Sequence, residues 1–350
     1  HSLREPKPRC NRTRIMANTV EKLNGIAVTD IEKFNGITDA NLAKLNGGEF
    51  TGQAEFMSAT GGSIATDGDY KVHSFTSSGT FTPVVGSNAT YGTKVEYLVV
   101  AGGGSGVKAP VGSGNVTSGA GGGGAGGLRE NSAYDFVVSS TGYSITVGAG
   151  GSPSATQGQR GGSGSDSVFS SITSAGGGGG GGNEAALNPT GGAGGSGGGG
   201  SGGYPSASAG GAASPSGQGN AGGTGSNGIY GMQNGAGGGG AGAVGVNPSA
   251  GDKVGGRGGV GTANDITGSS VTRAAGGSGT GGSNTWTDVG SASGIGGKSA
   301  YWYYGVQAAT AGSAQTGSGG GSGSSATGET ALAAGKNGGS GIVIIRYKFQ

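Results

Sequence analysis

Side chains able to do acid–base, nucleophilic or metal chemistry are sparse in this chain of 350 residues. The two histidines are His1 and His73, so a Ser-His-Asp triad could run only through His73. No nucleophile elbow accompanies it. The alternation of Tyr70-Lys71-Val72-His73-Ser74-Phe75 predicts a strand with His73 at its surface or edge. Cys10 is the single cysteine, which excludes a disulfide or a thiolate metal site within one chain. Asp67-Gly68-Asp69 sets two carboxylates around a glycine; they could join a calcium site, but two acids in a tight turn read first as a turn. Chance matches to Gly-x-Gly-x-x-Gly carry no weight among 93 glycines. The nearest approach to a phosphate loop, Ala292 to Ser299, begins with alanine and follows no buried strand. No catalytic residue, metal ligand or cofactor is expected, and the chain reads as a protein that is not an enzyme.

Binding chemistry is better represented. Trp286 and Trp302, the only tryptophans, lie in short segments that interrupt glycine runs, and so do Tyr204, Tyr230, Tyr301, Tyr303 and Tyr304. Tyr and Trp give rigid contact area with a polar handle, and they stack on sugar rings. These seven are the candidate receptor-binding residues. The competing reading makes Trp302 and its neighbours an apolar plug at one end of the glycine-rich span.

What must position them is glycine. Of the 93 glycines, 81 fall between Ala101 and Ser340, interrupted mainly by Ala and Ser. So little apolar surface cannot build an ordinary core. Such a span is either a disordered low-complexity tail or a bundle of polyglycine helices of polyproline-II type, with about three residues per turn. These helices lack internal hydrogen bonds and must satisfy their N–H and C=O groups on neighbours. Only glycine then fits inside and only small residues at the margin. Runs confined to Gly, Ala and Ser favour the bundle, with the aromatic segments as connecting loops gathered at its two ends.

Residues 101–340 carry eight basic and eight acidic side chains, and only Arg160 and Arg257 precede a Gly-Gly pair. The footprint that phosphate binding requires is missing, and no nucleic-acid partner is expected. The overall charge of +2 comes from residues 1–15, with five basic residues against one acid; 15 basic and 17 acidic residues follow. We expect residues 1–15 to be a non-native upstream leader, with the product beginning at Met16. Neither a signal peptide nor an apolar run long enough to span a bilayer is seen, so no membrane insertion is expected.

Residues 16–50 hold a repeat with a spacing of 11: Val20 to Gly25, Ile31 to Gly36 and Leu42 to Gly47. Thr29-Asp30 and Asn41 read as helix N-caps and each Asn-Gly as a C-cap. The expectation is short helical turns that stack on each other or on other chains, an attachment or oligomerisation segment. Residues 51–100 turn to strands (Tyr70–Phe75, Thr80–Thr82, Lys94–Val100), joined by Tyr143–Val147, Ser167–Ile172 and a last strand, Ile342–Phe349, apolar enough for burial on both faces. The expected class is mainly β with polyglycine-II helices: a small β-sandwich, completed by residues 341–350, feeding a packed bundle over 101–340.

The series Ser78 to Pro83, Val95 to Gly104, Gly121 to Gly127, Tyr143 to Gly151 and Gly338 to Tyr347 resembles the glycine-rich C-terminal domain of many phage tail and tail-fibre proteins. The Asn-Gly repeat is similar to N-terminal segments of marine phage virion proteins. More remotely the chain resembles the tip adhesins of T-even-like phages, whose polyglycine helices carry loops that contact the host receptor. The loops do not match residue by residue, so no receptor-binding residue carries over. The resemblance implies a virion protein of the tail, acting outside the cell. Its partners would be a host glycan or outer-membrane protein, other tail-fibre proteins, and further copies of itself as a homo-oligomer. The alternative is a structural filament, spacer or coat protein, with ice binding a remote third.

Overall fold

The computed structural model describes residues 55–109, 119–182, 188–203, 206–227, 233–248, 254–281, 294–300, 308–324 and 334–350, together with six short strands between residues 22 and 49. The described residues are mainly β and contain no helix. The N-terminal strands are β1 (Lys22–Leu23), β2 (Ile26–Ala27), β3 (Lys33–Phe34), β4 (Ile37–Thr38), β5 (Lys44–Leu45) and β6 (Gly48–Glu49). They pair antiparallel as three hairpins, β1 with β2, β3 with β4 and β5 with β6. The helical turns expected from the repeat are therefore wrong. Asn-Gly between two apolar residues is the strongest short hairpin signal, and here it outweighs the capping interpretation of the same dipeptide.

Two five-stranded antiparallel sheets follow. The first uses β7 (Ser58–Thr60), β10 (Gly79–Val84), β13 (Tyr143–Thr146), β14 (Ser167–Phe169) and β15 (Ile172–Ser174), in the order β15-β14-β13-β10-β7. The second uses β8 (Ser63–Asp67), β9 (Tyr70–Phe75), β11 (Lys94–Val100), β12 (Leu128–Val137) and β20 (Ile342–Lys348), in the order β12-β11-β20-β9-β8. The remaining pairs, β16 (Ser226–Asn227) with β17 (Gln233–Asn234) and β18 (Thr262–Asn264) with β19 (Val271–Arg273), are small hairpins. The single strand expected over 167–172 is a hairpin, because Ser170 takes a left-handed conformation (φ 56°) and reverses the chain.

Alternation decides which way each side chain goes. Val95, Tyr97 and Val99 of β11 and Val343, Ile345 and Tyr347 of β20 face the first sheet, where they pack with Phe81, Ile145 and Phe169. Leu98, Val100, Ile342 and Ile344 face the other way, onto Ala125, Ile266 and Ala274. The two central strands are buried on both faces, which the sequence predicts for the last strand only, since Glu96 interrupts the apolar run of β11. His73 faces the sandwich core and is wholly buried, a correction to the surface position expected from alternation. The strand lies between β8 and β20, so it has no open edge.

From Val100 and into β20 the chain passes through glycine segments that are neither helix nor strand. Polyglycine helices are not shown as such; hydrogen bonds define these segments instead. Gly121, Gly124 and Gly127 donate to Gly181, Gly178 and Ala175. Gly122 and Ala125 donate to Ala236 and Gly239, and Gly123 and Gly126 to Gly320 and Gly317. The partner thus recurs every third residue. The carbonyls of Gly122, Gly123 and Gly124 accept from Gly199, Gly277 and Gly104, which are three further segments. Backbone polar groups find partners on every side, as burial demands. A Cβ on any of Gly121, Gly178, Gly179 or Gly199 would sit within 3.0 Å of a neighbouring carbonyl oxygen, closer than real Cβ atoms come. That spacing is why the interior is glycine.

Candidate binding surface

The strand directions give the molecule two poles. In β11 and β20 the pair Val100–Ile342 is at the bundle, while Lys348 pairs with Tyr70 at the other end of the second sheet. Residues 55–57 join the sandwich at that outer end, where Phe56 stacks on Tyr91 and the Glu55 carbonyl accepts from Asn88. The strand-to-glycine junction is held by side chains: Ser167 Oγ donates to the Val100 carbonyl at 2.8 Å and Ser174 Oγ to that of Val99 at 2.9 Å.

At the far end of the bundle, one set of bonds links the described residues on either side of the interrupting segments. Gly323 donates to Val107, Gly202 to Gly119, Gly182 to Asn188, Ser208 to Ser201, and Gly225 to Ser208. Gly235 donates to Thr280, and Ala300 to Ser322. All seven candidates lie outside the described residues. Their described flanks are Gly203 and Ser206 around Tyr204, β16 and β17 around Tyr230, Gly281 before Trp286, and Ala300 before Tyr301 to Tyr304. The flanks of Tyr204, Tyr230 and Tyr301 to Tyr304 belong to that one end; of the two flanks of Trp286, Gly281 lies there, whereas Ile295 accepts from Ser313 beside the turn that meets Val100 and Ala101. The expectation of loops shared between two ends falls on segments outside the described residues; the described connections at the sandwich end are compact turns and a hairpin. There Ala274 and Ile266 pack under β11 and β20, and Gln218 bridges the Ala175 amide and the Thr173 carbonyl.

One far-end connection is described throughout, residues 152–160, which the sequence reading did not single out. Gly158 donates to the Lys108 carbonyl and Lys108 Nζ to that of Ala155 at 3.2 Å. Arg160 donates from Nε to the Thr190 carbonyl at 2.8 Å and from a terminal nitrogen to Thr190 Oγ1 at 2.7 Å. Its signal was the break in small residues at Pro153, Gln157, Gln159 and Arg160. This connection is ordered by its own polar contacts and forms one side of the far surface.

The groups that could do chemistry are engaged elsewhere. His73 Nδ1 lies 2.7 Å from the Gly61 carbonyl, so that nitrogen carries the proton, and Nε2 lies 3.3 Å from the Tyr347 hydroxyl. Burial, opposed by the Gly61 carbonyl and reinforced by Lys71, holds the imidazole below its ordinary value. No serine or carboxylate is within its reach among these bonds. Asp67 and Asp69 end β8 and lead into β9 around Gly68 (φ 54°), and they face Arg346 (4.0 Å) and Lys348 (3.5 Å). They diverge to cations, and no group of three or more metal-ligating side chains exists among the described residues. A groove of about 570 Å³ between sandwich and bundle is lined by Arg129, Asp166, Thr173 and Gln218. Gln218 and Asp166 are spent there on backbone amides.

Two antiparallel sheets and a lattice of glycine segments joined by backbone hydrogen bonds make up the described residues. Residues 76–348 match the family model described as a glycine-rich domain, and the chain belongs to that family. No curated protein matches it.

Proposed function

We propose that the chain is a non-enzymatic phage virion protein of the tail-fibre or tip-adhesin kind, which binds the host surface through loops carried at the far end of the bundle. The observation that carries this reading is the common location of the flanks of Tyr204, Tyr230 and Tyr301 to Tyr304, with the leading flank of Trp286, at the pole opposite residues 55–57. Loops on a rigid scaffold are where binding sits. A lattice built from backbone bonds leaves its loops free to vary, because no loop side chain is needed inside it. In this reading the glycine segments are polyproline-II-type helices; the three-residue bonding period supports this, since such a helix has about three residues per turn. Residues 51–100 with 341–350 form the base, 101–340 the bundle, and 16–50 the attachment to other tail proteins. The protein acts on the virion, outside the cell, and needs no cofactor, nucleic acid or membrane insertion.

The test is binding of the fluorescently labelled full chain to a panel of whole bacterial cells. Binding to some strains, weakened by Trp286→Ala with Trp302→Ala, is expected. Loss after periodate treatment of the cells assigns a glycan, and loss after protease an outer-membrane protein. Adherence to no strain, or binding indifferent to both tryptophans, overturns the loop assignment and leaves a structural spacer.

A further inference from the structure

The three N-terminal hairpins share one design. Lys22, Lys33 and Lys44 stand in register with Ala27, Thr38 and Glu49 at the open ends. The inner pairs are Leu23–Ile26, Phe34–Ile37 and Leu45–Gly48.

Among the described residues each hairpin is a two-stranded sheet by itself, separate from the other hairpins and from both sheets of the sandwich. An isolated two-stranded hairpin is at best marginal in water, and two residues per strand is far below the usual length. Both outer edges of each hairpin are without a ladder among the described residues, a template for pairing with another chain. Whatever covers them must fit three like units at a spacing of 11 residues. A second copy of the arm meets that condition by construction. Its charges also suit itself: Glu21 precedes Lys22, Glu32 precedes Lys33, and Lys44 stands opposite Glu49. The arm leads into the sandwich at Glu55, at the pole away from the far-end flanks, so copies joined there keep their far ends apart.

We propose that the hairpins of residues 22–49 are the self-association element of this protein, through which copies of the chain join edge to edge. Three weak pairings made together act as one strong one, because the second and third are intramolecular once the first has formed. The proposal does not depend on what the far end binds.

Sedimentation of the full chain over a wide concentration range tests it. The expected mass is a multiple of one chain, reduced to one chain by Leu23→Asp, Phe34→Asp and Leu45→Asp together, with the cooperative melt of sandwich and bundle unchanged. Trp286→Ala with Trp302→Ala is expected to keep the multiple. A single-chain mass at every concentration, or a multiple that survives the triple substitution, overturns the proposal. Loss of assembly only together with loss of the melt also overturns it.

Discussion

The amide of Gly124 donates to the carbonyl of Gly178 at 2.8 Å, while the Gly124 carbonyl accepts from Gly104 at the same distance. Both glycines are buried, and a Cβ on either would meet a carbonyl oxygen within 3.0 Å. Segments 20 and 54 residues apart in sequence are thus held at a spacing that only hydrogen at Cα permits.

Gly178→Val is therefore expected to abolish the cooperative thermal melt of the full chain, since the backbone cannot give way without breaking bonds to several segments. Gly68→Ala is the contrasting case. Gly68 has φ 54° with nothing within 4 Å of an added Cβ, so only conformational strain of about 1–2 kcal/mol is expected. Calorimetry distinguishes loss of the transition from a shift of a few degrees. Equal effects would refute the lattice account.

Phe81 has no exposure and meets both His73 and Phe169 edge-on, at 5.3 and 6.3 Å between centroids. It belongs to the first sheet and packs into the cluster shared with the second. Phe81→Ala should destabilise the protein by about 3–5 kcal/mol, measured by denaturant unfolding. A loss below about 1 kcal/mol would mean that the two sheets do not depend on this contact.

His73 gives a pH dependence with a definite sign. Its folded pKa is depressed from 6.5, chiefly by burial. Below that ordinary value the unfolded chain binds the proton more readily than the folded one, so stability present above pH 6.5 is lost as pH falls. His73→Gln can still donate to the Gly61 carbonyl but cannot titrate. Melting temperatures at pH 5 and 7.5 should differ more in the parent than in this variant. An equal drop in both would place the acid sensitivity elsewhere.

Gln218 is buried, with its amide bridging Ala175 and Thr173. Removing it takes that partner from the half-buried Ala175 amide and the Thr173 carbonyl, and Gln218→Ala should cost about 0.5–1.5 kcal/mol per bond lost. Hydrogen exchange should report faster exchange of the Ala175 amide. An unchanged rate would show that the clamp is dispensable.

The last strand was legible because its apolar run, Ile342 to Ile345, needs cover on both faces, whereas in β11 Glu96 breaks the run and only its pairing with Arg346 in β20 explains its burial. The hairpins of residues 22–49 were misread because Asn-Gly serves both as a helix C-cap and as a hairpin turn. Local sequence does not choose between them, whereas cross-strand pairing does. His73 was placed at the surface because alternation assigns a face without saying which face is covered. The core cluster around Phe81 and Tyr347 supplies that answer. For the candidate loops the sequence identified residues by type, and those residues lie outside the described ones.

By itself the sequence determined composition-driven facts: a scaffold without an ordinary large core, small residues wherever backbones meet, and two apolar strands bracketing the glycine span. These follow from side-chain size and hydropathy, which act locally. The tertiary structure decided which segment bonds to which and which face of β9 is buried. Glycine has no side chain with which to encode a partner. The partnering of 104, 124 and 178 is therefore written only in how the whole chain satisfies its backbone hydrogen bonds at once.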